Sequence, residues 1–217
     1  EHSTGYFTEL YNNYQIGVIK KALNNSLLIV AVSSFLKKKL TKYTHKKISV
    51  IGNVVDKKFF LLNKKKKKFN KLKFLIISEL VKKKQVLELV KIFKELKNEN
   101  IELDLKIVGD GPEFSNIARY IINNDLEKNI KLLGIKNKKQ ISKIFDSTDY
   151  LISCSKVETF GITIAESIAK GVPAIVLKSG GPDDFINKKN SYSVVSFYEL
   201  KNKIKNIVKK SKKFDRI

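Results

Sequence analysis

The residues best suited to chemistry lie together late in the chain. Ser155-Lys156-Val157-Glu158-Thr159-Phe160-Gly161 leads into a helical pattern over 162–169 that contains Glu166 and stops at Gly171-Val172-Pro173. The first turn of such a helix leaves the N–H groups of Phe160, Gly161 and Ile162 without intrahelical partners, and the peptide dipoles add partial positive charge there. Gly161 has no side chain, so an anion could approach closely; the arrangement suits a diphosphate and needs no metal. Eight positions separate Glu158 from Glu166, about 12 Å of helix rise. Carboxylates accept hydrogen bonds from vicinal hydroxyls with both oxygens, so the pair could grip a sugar and a ribose at opposite ends of a nucleotide-sugar. The same spacing fits a plainer reading, with Glu158 as an N-terminal helix charge and Glu166 as a solvated surface residue.

A loop of this kind needs a scaffold, and the chain has the pattern of one. Residues 27–32, 48–51, 74–77, 103–108, 130–133, 150–154, 174–177 and 193–195 read as strands. Between them Val86, Leu89, Val90, Phe93 and Leu96 share a helical face, as do Phe114, Ile117, Ala118, Ile121 and Ile122. Residues 141–145 are helical, and a lysine-rich helix closes the chain from Tyr198. Ser33-Ser34 can cap the helix after the first strand. Strand and helix in alternation predict an α/β fold, a parallel sheet with helices on both faces. Ligands of such sheets bind at the carboxyl ends of the strands, where the loop around Glu158 falls. After Asn63, the five lysines at 64–68 repel one another and stay solvated, which marks a connector.

The ordered set Ser155…Glu158-Thr159-Phe160-Gly161-Ile162-Thr163…Glu166-Ser167-Ile168-Ala169…Gly171-Val172-Pro173 resembles the signature of the retaining glycosyltransferases of family 4. These have the GT-B fold, two Rossmann-like domains facing across a cleft. The likeness extends to Gly180-Gly181-Pro182-Asp183-Asp184, Val108-Gly109-Asp110-Gly111-Pro112, Asn53-Val54-Val55-Asp56…Phe59-Phe60 and Val32-Ser33, in order and over nearly the whole chain. It implies three parts: 1–60 as the end of an acceptor-side Rossmann-like domain, 61–71 as a lysine-rich linker, and 72–217 as the Rossmann-like nucleotide-sugar-binding domain. It also implies roles. Glu166 would bind ribose hydroxyls and Glu158 hydroxyls of the transferred sugar. Phe160 and Gly161, with Thr159 and Ile162 beside them, would present amides to the sugar or diphosphate, and Lys84 would contact the diphosphate. Gly109, Gly111 and Gly181 would line the donor site. Lys84 is one of three consecutive lysines with Lys82 and Lys83, and sequence does not choose among them.

The implied reaction moves a hexose from a nucleotide-diphosphate sugar to a hydroxyl of a glycan or lipid-linked acceptor, with retention. The leaving diphosphate would help deprotonate the acceptor on the same face, with no permanently bound cofactor and no metal. Two departures stand out: Glu79 where the family often has Arg, and Gln85 where glycine usually follows the lysine. Like charges repel, so a carboxylate facing a diphosphate at Glu79 would oppose donor binding.

The remaining residues bound the alternatives. Net charge is +23, but Arg stands only at 119 and 216, and abundant Lys, Asn and Ile match the codon bias of an AT-rich genome. Nucleic-acid readout is therefore disfavoured, while peripheral attraction to an anionic membrane fits lysine clusters. Cys154 is the only cysteine and lies in an apolar run, so it reads as a buried, inert thiol, and the expected location is cytoplasmic, at most on the inner face of the cell membrane. The chain has no Met, even at position 1, which reads as a fragment. Glu102, Asp104 and His45 read as solvated, His2 as structural, and Asp183 and Asp184 as caps of a short helix. A sugar-nucleotide epimerase of the same fold would need catalytic carboxylates and a histidine at other loop ends, and no such set is found. A non-catalytic basic module for membrane or nucleic acid would interleave aromatics with lysines, whereas most aromatics here fall at core spacings.

Overall fold

The computed structural model describes residues 12–60 and 71–214; the lysines at 64–68 and His2 lie outside the described residues. The chain opens with α1 (Asn13–Asn25), β1 (Ile29–Ala31), α2 (Ser34–Leu40) and β2 (Ile48–Val50). After a 3₁₀ turn at Lys57–Phe60 come β3 (Lys73–Ile77), α3 (Val86–Asn98), β4 (Asp104–Val108), α4 (Phe114–Ile122) and β5 (Ile130–Leu132). Then follow α5 (Lys138–Phe145), β6 (Tyr150–Ser153), α6 (Ile162–Ala169), β7 (Ala174–Leu177), β8 (Ser191–Val194) and α7 (Phe197–Phe214).

Strands β3 to β8 form one parallel sheet in the order β5-β4-β3-β6-β7-β8, and β1 and β2 form a separate parallel pair. The α/β expectation is met. Because helices cover both faces of the larger sheet, its strands bury both sets of side chains. Phe74, Ile76, Leu105, Ile107 and Ile152 point into a core shared with α3, α4 and α7. Their strand neighbours Leu75, Val108 and Leu151 point the other way, against Phe145 of α5 and Ile164 of α6. Phe59, from the turn ahead of the sheet, is fully buried in this second core and meets Phe145 edge-on at 6.0 Å. A third core joins the strand pair to the larger sheet: Ile29, Ala31, Leu36 and Ile48 pack with Phe160, and Ala165 and Phe185 close over them.

Several expectations need correction. Leu27 and Leu28 lie outside β1 and are exposed, because the pairing with β2 begins only at Ile29 and Ile48. Ile122 is exposed: it follows buried Ile121 by about 100° of helix rotation and turns off the packed face. The last strand begins at Ser191, two residues earlier than its apolar pattern suggests. Helix α1 has no counterpart in the sequence reading. None of its residues is buried, so its apolar positions form no core stripe, and its clearest mark is a capping box between Asn12 and Gln15.

Candidate active site

The strand order places the switch point between β3 and β6, from which successive strands run outward in opposite directions. The loops leaving these two strands part there and open a crevice at their carboxyl ends. Lys84 arrives on the β3 side, at the end of a single 3₁₀ turn. Glu158 arrives on the β6 side. The two side chains form an ion pair, both largely buried, across 74 positions of sequence. The lysine that sequence could not single out is thereby distinguished from Lys82 and Lys83, which are exposed. A backbone bond from Lys156 N–H to the Lys83 carbonyl (2.9 Å) laces the same two loops.

Glu158 is fixed from several directions. Ser155, itself buried, donates its hydroxyl to Glu158 Oε1 at 2.7 Å, the same oxygen that Lys84 holds. The Glu158 N–H donates to the Ser179 carbonyl (2.9 Å), and its own carbonyl accepts from Gly181 N–H (2.8 Å). A Cβ on Gly181 would stand 2.2 Å from the Thr159 carbonyl oxygen, so the glycine turn clasps the strand-to-helix loop by close approach of backbone to backbone. Gly109 plays the equivalent part on the other side: at φ +135, its Cβ would fall 1.8 Å from the Ser78 carbonyl oxygen. Gly111 likewise presses on the backbone of Leu80. These glycines shape the loops that carry Lys84 and Glu158.

Helix α6 starts at Gly161, which is left-handed (φ +86) and gives the first amides no side-chain cap. A Cβ would meet Pro182 Cγ at 2.8 Å and Ile164 Cδ1 at 3.0 Å, so the missing side chain also makes room for the 180–184 turn. Thr159 and Phe160 are buried and Ile162 is partly exposed at the helix start. Glu166 is 7% exposed, which removes the solvated-surface reading. Burial raises its pKa above the ordinary carboxylate value, Lys138 opposes the rise and Asp56 adds to it. Asp56 also bonds the Lys58 amide and pairs loosely with Lys138.

Other expected residues have plainer places. Glu79 is exposed and makes no ion pair among the described residues. Gln85 adopts the left-handed conformation (φ 52, ψ 33), which is where glycine costs least. Asp184 accepts from Ser34 N–H at 2.6 Å and so caps α2. Glu102 and Asp104 are not idle: both hold Lys71. Cys154 is buried, and burial pushes its thiol pKa up. His45 is exposed. Sequence reasoning missed Ser155, Asp56 and Lys138 as neighbours of the two carboxylates; Ser155 stood in the quoted signature without a role. Two cavities flank the site. One of about 290 Å³ lies beside Val81, Lys82, Gln85 and Lys156; another of about 480 Å³ lies between the strand pair and α6, lined by Val50, Asn53, Phe160, Ala165 and Phe185. Glu158 and Glu166 line neither. No helix among the described residues is long and apolar enough to cross a membrane.

This chain is similar to known proteins along most of its length. It is 28% identical over 178 residues to N-acetyl-alpha-D-glucosaminyl L-malate synthase of Bacillus anthracis, covering 78% of this chain and 46% of that protein. Its fold matches HepE of Anabaena, with a TM-score of 0.81 at 19% identity over 98% of this chain and 62% of that one. It also matches the pneumococcal O-GlcNAc transferase GtfA, solved with UDP and GlcNAc, with a TM-score of 0.69 at 25% identity over 95% of this chain and 42% of that one. The chain spans about half the length of the curated relatives it matches. The model of the family "Glycosyl transferases group 1" matches residues 57–217, which hold the whole six-stranded sheet and both faces of the crevice, and the chain belongs to that family.

Proposed function

We propose that this chain is the donor-binding part of a retaining hexosyltransferase of glycosyltransferase family 4, acting on a nucleotide-diphosphate sugar and a hydroxyl of a glycan or lipid-linked acceptor. The observation that carries the reading is the meeting of Lys84 and Glu158 at the switch point, at the amino end of α6. The ammonium and carboxylate satisfy each other. An arriving diphosphate would draw Lys84 away and lie against the uncapped amides of α6, which favour negative charge. Glu158, still held by Ser155, would then turn its freed capacity to sugar hydroxyls. Glu166, one side of the helix further on, would accept from the ribose. As the glycosidic bond breaks, Lys84 and the helix start would stabilise charge growing on the leaving diphosphate, a contribution of several kcal/mol in water-poor sites. The diphosphate oxygen would take the acceptor proton on the face it leaves, which gives retention without a covalent intermediate on the protein.

In this reading 72–217 binds the donor, 61–71 is a linker and 1–60 belongs to the acceptor side. No metal takes part, and the protein works at the cytoplasmic face of an anionic membrane. A sugar-nucleotide epimerase of the same fold is not favoured, given the family match. The B. anthracis relative is named for N-acetylglucosaminyl transfer and GtfA holds UDP with GlcNAc, so UDP-N-acetylglucosamine is the first donor to test. Saturation-transfer NMR should show nucleotide-sugar signals with a full-length version, weakened about tenfold or more by Lys84→Ala and by Glu166→Ala. Failure of uridine, guanosine and adenosine diphosphate sugars alike would remove the transferase reading.

A further inference from the structure

We infer that Asp184 is a positioning residue for Glu158: through the 180–184 turn it passes the hold of α2 on to the carboxylate that would grip the transferred sugar, a role that rests on the donor reading above. The backbone of Glu158 shows the link. Its N–H donates to the Ser179 carbonyl (2.9 Å) and its carbonyl accepts from Gly181 N–H (2.8 Å), so both polar groups of its main chain are taken up by this turn, which it meets in a parallel bridge at Gly180. The place of the carboxylate therefore follows the place of the turn. Two adjacent glycines are a poor anchor by themselves, because glycine has the most backbone freedom to lose, and Gly180 sits at φ +105 and ψ −80. The turn needs fixing from outside.

Helix α2 supplies it. Asp184 Oδ2 accepts from Ser34 N–H at 2.6 Å, across 150 positions of sequence. Phe35, next in the helix, lays its ring over Gly180, where a Cβ would stand 2.2 Å from Cε1. The start of α2 already has a cap of its own, since the Ser33 hydroxyl oxygen accepts from Leu36 N–H at 3.0 Å. The consequence of the Asp184 bond therefore falls on the turn. Asp183 N–H reaches the Gly180 carbonyl (3.0 Å) and Phe185 N–H the Pro182 carbonyl (3.1 Å), which makes 180–185 one bonded unit. Pro182 of that unit packs against Gly161, so the start of α6 rests on it as well. The carboxylate proposed to hold the sugar and the amides proposed to meet the diphosphate thus share one support, and α2 anchors it. In the domain reading α2 belongs to the acceptor side, so the contact would register the bound sugar against the half that brings the acceptor. Asp184 and Asp183 are both exposed, so truncating either empties no core.

Two measurements on a full-length version separate this role from the reading beneath it. The first needs no donor. Asp184→Ala should speed amide hydrogen exchange at Glu158 and Gly181 about tenfold and leave β3 and β4 unchanged. The second compares two ligands. The same variant should weaken binding of UDP-N-acetylglucosamine about fivefold, while UDP, which brings no sugar to Glu158, stays within about twofold. General loss of structure would weaken both alike. Asp184→Asn keeps an accepting oxygen and should return both readouts to within about twofold of wild type. Asp183→Ala should alter neither, and Phe35→Leu, which takes the ring off Gly180, should repeat the Asp184→Ala pattern. Faster exchange confined to Ser34, or equal weakening of UDP and UDP-N-acetylglucosamine, would overturn the proposal. If the wild type binds neither ligand, the donor reading fails by itself. Exchange then decides alone: acceleration at Glu158 supports the hold of Asp184 on it, and an unchanged rate removes it.

Discussion

A carboxyl withdrawn from water holds its proton more tightly, and Glu166 shows that effect with a lysine and an aspartate acting on it in opposite senses. Its folded pKa lies above the ordinary 4.5, so the native state keeps a proton that the unfolded chain has already released. The stabilising contribution is complete below the unfolded value and is lost as pH rises through the folded one. Glu166→Gln removes the titration. The melting temperature of the wild type should fall relative to this variant as pH rises above the ordinary carboxylate value. A difference that stays flat over that rise would show Glu166 to be freely solvated. The acidic residues themselves were plain in the sequence; the environment that tunes one of them was not, because Asp56 and Lys138 stand 110 and 28 positions away.

Loops that approach each other backbone to backbone have no room for a methyl group. At Gly181 the Cβ of an alanine would overlap the Thr159 peptide, so either the 180–184 turn or the start of α6 must shift. Gly181→Ala should destabilise the protein by about 1–3 kcal/mol in urea unfolding, and an unchanged midpoint would show that the turn has slack. The same reasoning illuminates Gln85. The family's glycine preference there matches a left-handed residue at the entry to α3, and this chain carries a glutamine in that conformation at about 1–2 kcal/mol. Elements with a strict period were readable from sequence: α6 and β7 run over the very residues their apolar patterns mark. Helix α1 was not, since a helix that buries nothing carries no stripe.

Phe160 is where the two sheets meet. It is counted among the α6-end residues by sequence, yet it packs into the core of β1, β2 and α2 and lies 5.0 Å from Phe185, centroid to centroid. Truncation to alanine should cost about 3–5 kcal/mol. The loss should be felt unevenly: amide hydrogen exchange of 29–31 and 48–50 should accelerate well before that of β3 and β4, which have their own core. Uniform exchange across both sheets would mean that Phe160 does not join them.

What the sequence determined alone was the α/β alternation, the position of most strands, the helix after Glu158 and the buried thiol of Cys154, because each follows from local periodicity and composition. Tertiary structure decided the rest. It chose Lys84 over its two neighbours by placing β3 next to β6, assigned Gly161 to the packing of Pro182, and left Leu27 and Leu28 bare at one end of a strand pair. Such choices depend on contacts between residues far apart in the chain, and strand order, which sets those contacts, leaves no mark in any short stretch of residues.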